Sequence, residues 1–494
     1  MTDAVPALIV AVLAIPLLTA GLMTLVPSAA AADRLNLASS ALTATAALVL
    51  AIVALAATPD VASRASWYVL DAASGLFLAL VAVVGFASAA MSPFYLRHAG
   101  RSWFTARRSH VWYYAAFNAF WAALLALPLA DNLALAWLLI EATTAASALL
   151  VAFSGKRSAL EAGWKYVVLT TLGLGIALLG IVVLFVAVGS VGSGLGRLDW
   201  QVLAQHSAGL PQEATLAAFV LILVGLASKI GWAPVHNWLP DAHSEAPPPV
   251  SALLSAALLP TVLLIAWRAK LALQPALGVG TMQELFIGFG LLSLLVAIPF
   301  LWQSLPWKRL LAYSSLEHMG VLALGIGFGT SLAIAGVVVH VAGHAVAKAL
   351  GFYTAIPLLR EEPAAAEAAA RGVGRSSPPT AAAMSVSLIS LSGLPPSPIF
   401  VSEVMILLGG MDAGLLGVSS IAAVLLALGF LGLAHALLEG LLGGKRGSRR
   451  RPSRSVQAVA LLAGTAAVAL LALTAAAYAL PGSDLVDALM RSGA

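Results

Sequence analysis

The chain has 494 residues, of which 61% are hydrophobic and only 10% are charged. Its mean hydropathy of +0.98 excludes a water-soluble protein, because soluble domains carry roughly 25% charged residues. Most of the apolar surface must therefore face lipid or other membrane helices. The absence of cysteine excludes thiol chemistry, disulfides and cysteine-ligated iron–sulfur clusters within this chain. The net charge of +5 is spread over short loops, so we expect a lipid bilayer and no nucleic acid as its surroundings.

Apolar runs of about 20 residues, each long enough to cross a bilayer, divide the chain into about 14 predicted spans. The predicted fold class is therefore an all-α integral membrane protein. The first run has no basic segment before it, so we interpret it as a span and not as a cleaved signal peptide. The approximate span centres are Ile15, Val49, Leu80, Ala119, Leu139, Leu178, Leu223, Leu259, Leu292, Leu322, Ala345, Leu394, Leu425 and Leu470.

The basic residues of the loops predict the orientation of the chain. They follow odd-numbered spans, which places them on the cytoplasmic side, and with an even number of spans both termini then lie outside a plasma (inner) membrane. Arg268 and Lys270 are the main exception. The basic loop residues are Arg97, Arg101, Arg107, Arg108, Lys156, Arg157, Lys308, Arg309, Arg371 and Arg375, with a basic run at 445–454.

Ionisable residues inside spans are costly, at about 2.5–3.5 kcal/mol each on insertion scales, and are therefore candidate functional residues. In the first half of the chain, Glu141 lies within LALAWLLIEATTAASALLVAF and Lys229 lies just before the helix-breaking Pro234. A neutral Glu141 bonded to nearby threonine or serine and a Lys229 that reaches to the interface are the structural alternatives. In the stretch after Pro234, His236 and His243 are weaker candidates for proton access.

The second half of the chain carries a longer set of such residues. His340, His344 and Lys348 recur every four residues, which places them on one face of a helix and suggests a proton path. A zinc site needs a third ligand, which the sequence near this histidine pair does not supply, so no metal is predicted. Glu317 and His318 begin the predicted tenth span, where they are either an interfacial start capped by a serine or a link to the interior.

Glu403 follows three prolines, Pro395, Pro396 and Pro398, that interrupt the twelfth apolar run. A second interruption surrounds Pro234, about five spans earlier. Unwound backbone inside a membrane is tolerated where it is buried in protein or lines a wet cavity. Two interrupted segments in corresponding positions of two halves are typical of transporters with inverted repeats, so Glu403 is a further candidate.

Four blocks of the sequence resemble the antiporter-like subunits of respiratory complex I and of Mrp-type cation/proton antiporters. They are KIGWAPVHNWLPDAHSEAPPPVSALL, RLLAYSSLEHMG, HVAGHAVAKALGFY and SGLPPSPIFVSE, in the family's order. The SSLEHMG block looks most like the component F branch of hydrogenase-4 and formate hydrogenlyase. In SALLSAALLP, Ser255 stands where some family members have histidine or lysine, so we expect the link from Lys229 to run either through serine and water or through His236 or His243.

The resemblance implies 14 helices, with two inverted five-helix repeats that each contain a broken helix, and proton translocation along a central polar axis. Carried over by position, Glu141 belongs to the fifth helix, Lys229 to the broken seventh, and Glu403 to the broken twelfth. The stripe of His340, His344 and Lys348 belongs to the eleventh. The predicted organisation is a single membrane domain, 1–494, with a three-helix segment at 1–108, repeats at 109–275 and 276–444, and a basic loop with a final helix at 445–494.

We therefore interpret the chain as a non-catalytic, proton-pumping subunit of a redox-driven complex of the hydrogenase-4 or complex I kind. In this interpretation Glu141 pairs with Lys229, and the histidines with Lys348 relay the proton to Glu403. No cofactor is expected in this chain, because electron transfer would belong to other membrane subunits and a peripheral arm. The alternatives are an Mrp-type sodium/proton antiporter subunit and the membrane subunit of an inorganic-carbon uptake complex.

Overall fold

The structure is a computed structural model and describes residues 4–97, 106–189, 194–361, 371–443 and 453–491. Arg101 and most of the basic run at 445–454 lie outside the described residues. The described chain is built almost entirely from α-helices, with one short two-stranded hairpin.

The N-terminal segment forms three helices and the hairpin. These elements are α1 (Val5–Leu22), α2 (Ala29–Ala56), β1 (Ser63–Ala65), β2 (Tyr68–Leu70) and α3 (Ala72–Leu96). The strands pair antiparallel, with Ser63 opposite Leu70. Asp71 caps α3, because its side chain accepts a hydrogen bond from the backbone N–H of Ser74 at 2.7 Å, as expected for a helix N-cap.

The next eight helices form the first half of the central bundle. They are α4 (Ala106–Ala126), α5 (Leu133–Val151), α6 (Arg157–Val188), α7 (Trp200–His206), α8 (Gln212–Ile230), α9 (Leu239–Glu245), α10 (Pro248–Leu253) and α11 (Leu259–Leu277). A π-helical turn, Leu254–Leu258, joins α10 to α11, so the two form one long membrane-crossing element.

The second half of the bundle and the C-terminal helices follow. They are α12 (Val279–Leu301), α13 (Trp307–Phe328), α14 (Ser331–Tyr353), α15 (Ala355–Glu361), α16 (Val373–Ser376), α17 (Pro378–Leu391), α18 (Pro398–Asp412), α19 (Leu416–Leu442), α20 (Arg454–Ala477) and α21 (Asp484–Arg491).

Within the described residues, 13 helices are long and apolar enough to cross a membrane. The remaining predicted centre, Leu394, falls between α17 and α18, two half-helices of 14 and 15 residues. The predicted twelfth span is therefore a broken helix. Together with the other 13 helices it gives 14 spans, in agreement with the prediction of about 14. The all-α membrane fold class is confirmed.

Both predicted interruptions are present as breaks in helices. α8 ends at Gly231, whose φ of +83° is accessible to glycine, and a Cβ there would collide with Leu239. The second break runs through Gly393, with φ of +68°, to Ser397, which caps α18. Proline cannot donate the helical hydrogen bond, so the prolines in both linkers prevent the half-helices from joining.

The centre of the bundle is formed by α10, α11, α13 and α14, which are buried on nearly all sides. By contrast, α1, α19 and α20 expose most of their apolar side chains. A helix that is apolar all round and enclosed by others belongs to the core of a large membrane bundle, so ionisable residues on α13 and α14 lie far from lipid.

The two exceptions to the loop-charge pattern are side chains of α11 with partners of their own. Arg268 is buried, forms an ion pair with Asp71 at 2.8 Å, and donates to the Pro128 carbonyl at 3.0 Å. Lys270 donates to the side-chain oxygen of Gln274 at 3.2 Å. Arg268 therefore joins α11 to the N-terminal end of α3, and neither residue is a free loop charge.

Candidate functional site

Lys229 lies in the last turn of α8 and is completely buried. Its Nζ donates hydrogen bonds to Thr144 Oγ1 at 2.7 Å and to Tyr166 OH at 2.5 Å, and it lies 4.5 Å from the centre of the Tyr166 ring. Ser147 in turn hydrogen-bonds Tyr166 OH at 2.8 Å. The lysine is thus held by neutral hydroxyls from α5 and α6 and does not reach to the interface.

Glu141 lies on α5 at the half-buried edge of the same region. One carboxyl oxygen accepts a hydrogen bond from Thr171 of α6 at 2.9 Å, and the other is buried without a hydrogen-bond partner in the described part of the chain. The predicted direct pair with Lys229 is not formed, since no described carboxylate lies within ion-pair distance of its Nζ. Thr144, three residues after Glu141 on α5, accepts a hydrogen bond from the lysine instead.

The stripe predicted on α14 consists of His340, His344 and Lys348, and all three side chains are completely buried. His318 of α13 joins it, with Nδ1 lying 3.1 Å from His340 Nε2 and its ring 5.2 Å from that of His344. On its other side, His340 Nδ1 lies 2.9 Å from Ser402 Oγ of α18. Residues from three helices therefore form one hydrogen-bonded line.

Lys348 lies on the same face of α14, but its Nζ makes its hydrogen bonds outside the histidine line. It donates to the Leu311 carbonyl at 2.7 Å and to Ser314 Oγ. The next residue, Ser315, hydrogen-bonds Ser255 at 2.7 Å. Ser255 lies in the π-helical turn, a feature that frequently marks functional sites, so this hydrogen bond joins the first half of the bundle to the second.

Glu317 and His318 do not begin a span, so the prediction of an interfacial start is wrong. α13 begins at Trp307, and both residues are buried near its middle. Ser315 is not a cap, because it donates to the carbonyl of Leu311. The Glu317 carboxyl group packs against Gly429 of α19, where an added Cβ would lie 2.0 Å from its oxygen.

Glu403 is half-buried on α18, with its carboxyl group against Gly393 of the second break. It directly follows Ser402, the hydroxyl partner of His340. Glu403 therefore lies one residue from the end of the histidine line, with its carboxyl group directed to the second break.

The two weaker histidine candidates lie around the first break. His243 of α9 is completely buried, binds the Leu239 carbonyl through Nδ1 at 2.9 Å, and has its ring 5.6 Å from that of Phe352. Phe352 follows Lys348 by one turn of α14, so His243 faces the stripe. His236 is nearly buried, and its Nδ1 has no hydrogen-bond partner among the described residues.

Asp241 of α9 has a structural role. It forms ion pairs with Lys165 of α6 at 3.5 Å and Arg309 of α13 at 3.2 Å. These contacts hold the short helix after the first break between two long spans.

The ionisable residues of the sequence did not predict that the hydroxyl groups of Tyr166 and Ser402 belong to the site. Tyr166 and Thr170 are four residues apart in α6, and Thr170 donates to the Tyr166 carbonyl. A polar pair at helical spacing within an apolar run was the available signal. Ser402 had none beyond its position next to Glu403.

The family model for the membrane region of NADH:quinone oxidoreductase and Mrp antiporters matches residues 130–431, more than half of the chain. The chain belongs to this family. It is 31% identical over 385 residues to NADH-quinone oxidoreductase subunit N of Desulforudis audaxviator, covering 76% of this chain and 73% of the relative. It is also 29% identical over 397 residues to a hydrogenase-4 component F homolog of Methylacidiphilum infernorum, covering 80% and 82%.

Solved structures share the fold across nearly the whole chain. A chain of the archaeal membrane-bound sulfane sulfur reductase has a TM-score of 0.84 at 20% identity, covering 99% of this chain and 97% of that one. A chain of respiratory complex I from Thermus thermophilus reaches 0.80 at 23%, covering 98% of each. A chain of the Mrp complex from Dietzia sp. reaches 0.79 at 19%, covering 98% and 97%.

These matches confirm the resemblance stated from the four sequence blocks. The protein is a multi-pass integral membrane protein and an antiporter-like, proton-translocating subunit of the complex I and hydrogenase-4 type.

Proposed function

We propose that this chain carries protons across the plasma membrane, within a redox-driven complex, along the buried line from Lys229 to Glu403. The observation that carries the proposal is the hydrogen-bonded contact of His318, His340 and Ser402 in the buried centre of the bundle, on the helix face that also carries Lys348. Buried ionisable side chains are too costly in a membrane to persist as packing residues alone.

In the first half, Lys229 is the residue that changes charge. Hydroxyls can accept from an ammonium and can equally donate to a neutral amine, so Thr144 and Tyr166 suit both states of the lysine. Glu141 lies one turn from Thr144 on α5 and acts through space, since its negative charge favours the ammonium form of Lys229. A change of charge near Glu141 in a neighbouring subunit would release the proton of Lys229.

The second half passes the proton on. A neutral imidazole accepts a proton at one nitrogen and donates from the other, which suits His340 between His318 and Ser402. The hydroxyls of Ser255 and Ser315 connect the two halves, and water fills the remaining gaps. Glu403, next to Ser402, receives the proton at the outer end.

The chain contributes no electron carrier in this proposal. Other membrane subunits and, through them, a peripheral arm oxidise the electron donor, and both termini of this chain face outside. The relatives and the solved structures with this fold are named as components of such complexes, which supports the assignment.

Inside-out membrane vesicles from the native cells test the proposal. They are driven in turn by NADH, formate or hydrogen, and acidification of the lumen is followed with a fluorescent amine. We expect one donor to acidify wild-type vesicles but not vesicles from a strain lacking this chain, and Lys229→Ala to remove the same signal while the complex still assembles. Acidification that needs sodium in the medium would instead indicate the antiporter alternative, and a signal that survives loss of the chain would refute the proposal.

A further inference from the structure

A polar cavity of about 320 Å³ lies at the end of the bundle that carries the Lys156 loop. Lys156, Glu245, Lys308 and Arg309 line its polar side, and Trp307 lies on its apolar wall. At roughly 30 Å³ per water molecule, it has room for on the order of ten waters. An adjoining cavity of about 230 Å³ shares Glu245 and Arg309, so water has access to this side of the bundle between α6, α9 and α13.

Lys308 occupies an unusual position on the wall of this cavity. It is the second residue of α13 and is more than nine-tenths buried. A cation at a helix N-terminus is disfavoured by the helix dipole, so the lysine does not stabilise its own helix. Its Nζ donates instead to the Ser244 carbonyl at 2.6 Å and to the Ala246 carbonyl, at the C-terminal end of α9.

This arrangement fits an amine that changes charge. A neutral amine has two N–H donors and one lone pair, whereas an ammonium has three donors. The two carbonyls satisfy both donors of the neutral form, which leaves the lone pair for an incoming proton. No described carboxylate lies within ion-pair distance to hold the lysine permanently charged.

Lys308 also lies on the face of α13 that leads to the proton line. Leu311, Ser315 and His318 follow it at three, seven and ten residues, spacings that share one helical face. Ten residues correspond to about 15 Å along the helix. Lys348 meets this face one turn from Lys308, at the carbonyl of Leu311.

We propose that Lys308 is the entry relay, which takes protons from the water of this cavity and passes them to Lys348. In the first step a water O–H breaks as the third N–H of Lys308 forms, and the hydroxide is neutralised from the aqueous phase. In the second, the ammonium releases that proton through water to the neutral amine of Lys348. The carboxylate of Glu245 on the cavity wall attracts protons to the entrance. This inference rests on the proposed function.

Lys308→Arg tests the relay, because arginine keeps the hydrogen bonds to α9 but does not release a proton. In the vesicle assay we expect assembly at the wild-type level and donor-driven acidification reduced by about 10²-fold or more. Lys156→Arg, an exposed lysine on the same cavity, is the matched control and should pump normally. Acidification at the wild-type rate in Lys308→Arg would show that Lys308 only caps α9.

A second variant tests the entry route in case Lys308→Arg does not assemble. Ser158 is exposed and lines both cavities, so Ser158→Trp reduces the room for water in them without altering Lys308 itself, and we expect acidification to fall. Undiminished acidification in that variant would overturn the entry route. If Lys229→Ala abolishes acidification while Lys308→Arg does not, only the entry relay is refuted. If Lys229→Ala also leaves it intact, the proposed function itself fails.

Discussion

Buried cations are held in two different ways in this protein. At the end of the bundle near the β-hairpin, Arg268 is paired with Asp71 at 2.8 Å. In the central axis, Lys229 and Lys348 contact hydroxyl and carbonyl oxygens and, among the described residues, no carboxylate. A guanidinium with a carboxylate stays charged, whereas an ammonium held by neutral oxygens has no partner that fixes its charge. The contrast separates cations that stabilise the fold from cations suited to carry a proton.

The sharpest test of this contrast is to remove an axial lysine. Lys348→Ala should lower donor-driven acidification by about 10²-fold or more, the usual scale for loss of a proton-transferring group. The thermal unfolding midpoint of the purified complex should change less than in a variant that breaks a buried ion pair, since Lys348 has no ion pair with a described residue. A variant that pumps normally would remove Lys348 from the path.

Arg268→Met should have the opposite profile. Removing one partner of a buried ion pair costs about 3–5 kcal/mol, because the remaining charge is left uncompensated. We expect a clear fall in the unfolding midpoint and in the amount of assembled complex, with normal acidification per assembled complex. The double variant with Asp71→Asn should recover part of the lost stability, and no recovery would mean that the pair is not the cause.

A smaller effect is expected from removing the Tyr166 hydroxyl, which accepts a hydrogen bond from Lys229. Tyr166→Phe keeps the ring but removes the hydrogen bonds to Lys229 and Ser147. The bond to Lys229 is worth about 1 kcal/mol net, so acidification should fall by about fivefold. Tyr353→Phe, which loses a hydrogen bond to Ser88 away from the axial lysines, is the matched control. Equal effects of the two variants would show a general packing defect and not a role at Lys229.

The sequence predicted the spans, both helix breaks and the axial residues, because each has a local signal. Apolar length marks a span, proline marks a break, and a charge inside an apolar run marks a candidate site. It did not predict the start of α13, since Lys308 and Arg309 resemble loop charges until their contacts with α9 are known. Nor did it predict the partner of Lys229, because Tyr166 lies 63 residues away along the chain and only the packing of α6 on α8 joins them.

The smallest expected effect concerns Asp131, which lies in the loop between α4 and α5 and pairs with Arg64 at 3.2 Å. Burial raises the pKa of Asp131 from its ordinary value of 3.8 to about 6, although Arg64 and Arg268 act in the opposite direction. The folded protein therefore binds this proton more tightly than the unfolded chain does. The resulting stability is present below about pH 4 and is lost as the pH rises through about 6.

Between pH 4 and pH 7 the unfolding midpoint of the wild type should accordingly fall by about 1–2 °C relative to that of Asp131→Asn, whose side chain does not titrate. Identical pH profiles would mean that Asp131 stays charged beside Arg64 throughout. The Asp131–Arg64 pair of this loop would then stay charged at every pH tested, unlike the axial lysines, which are proposed to gain and lose protons.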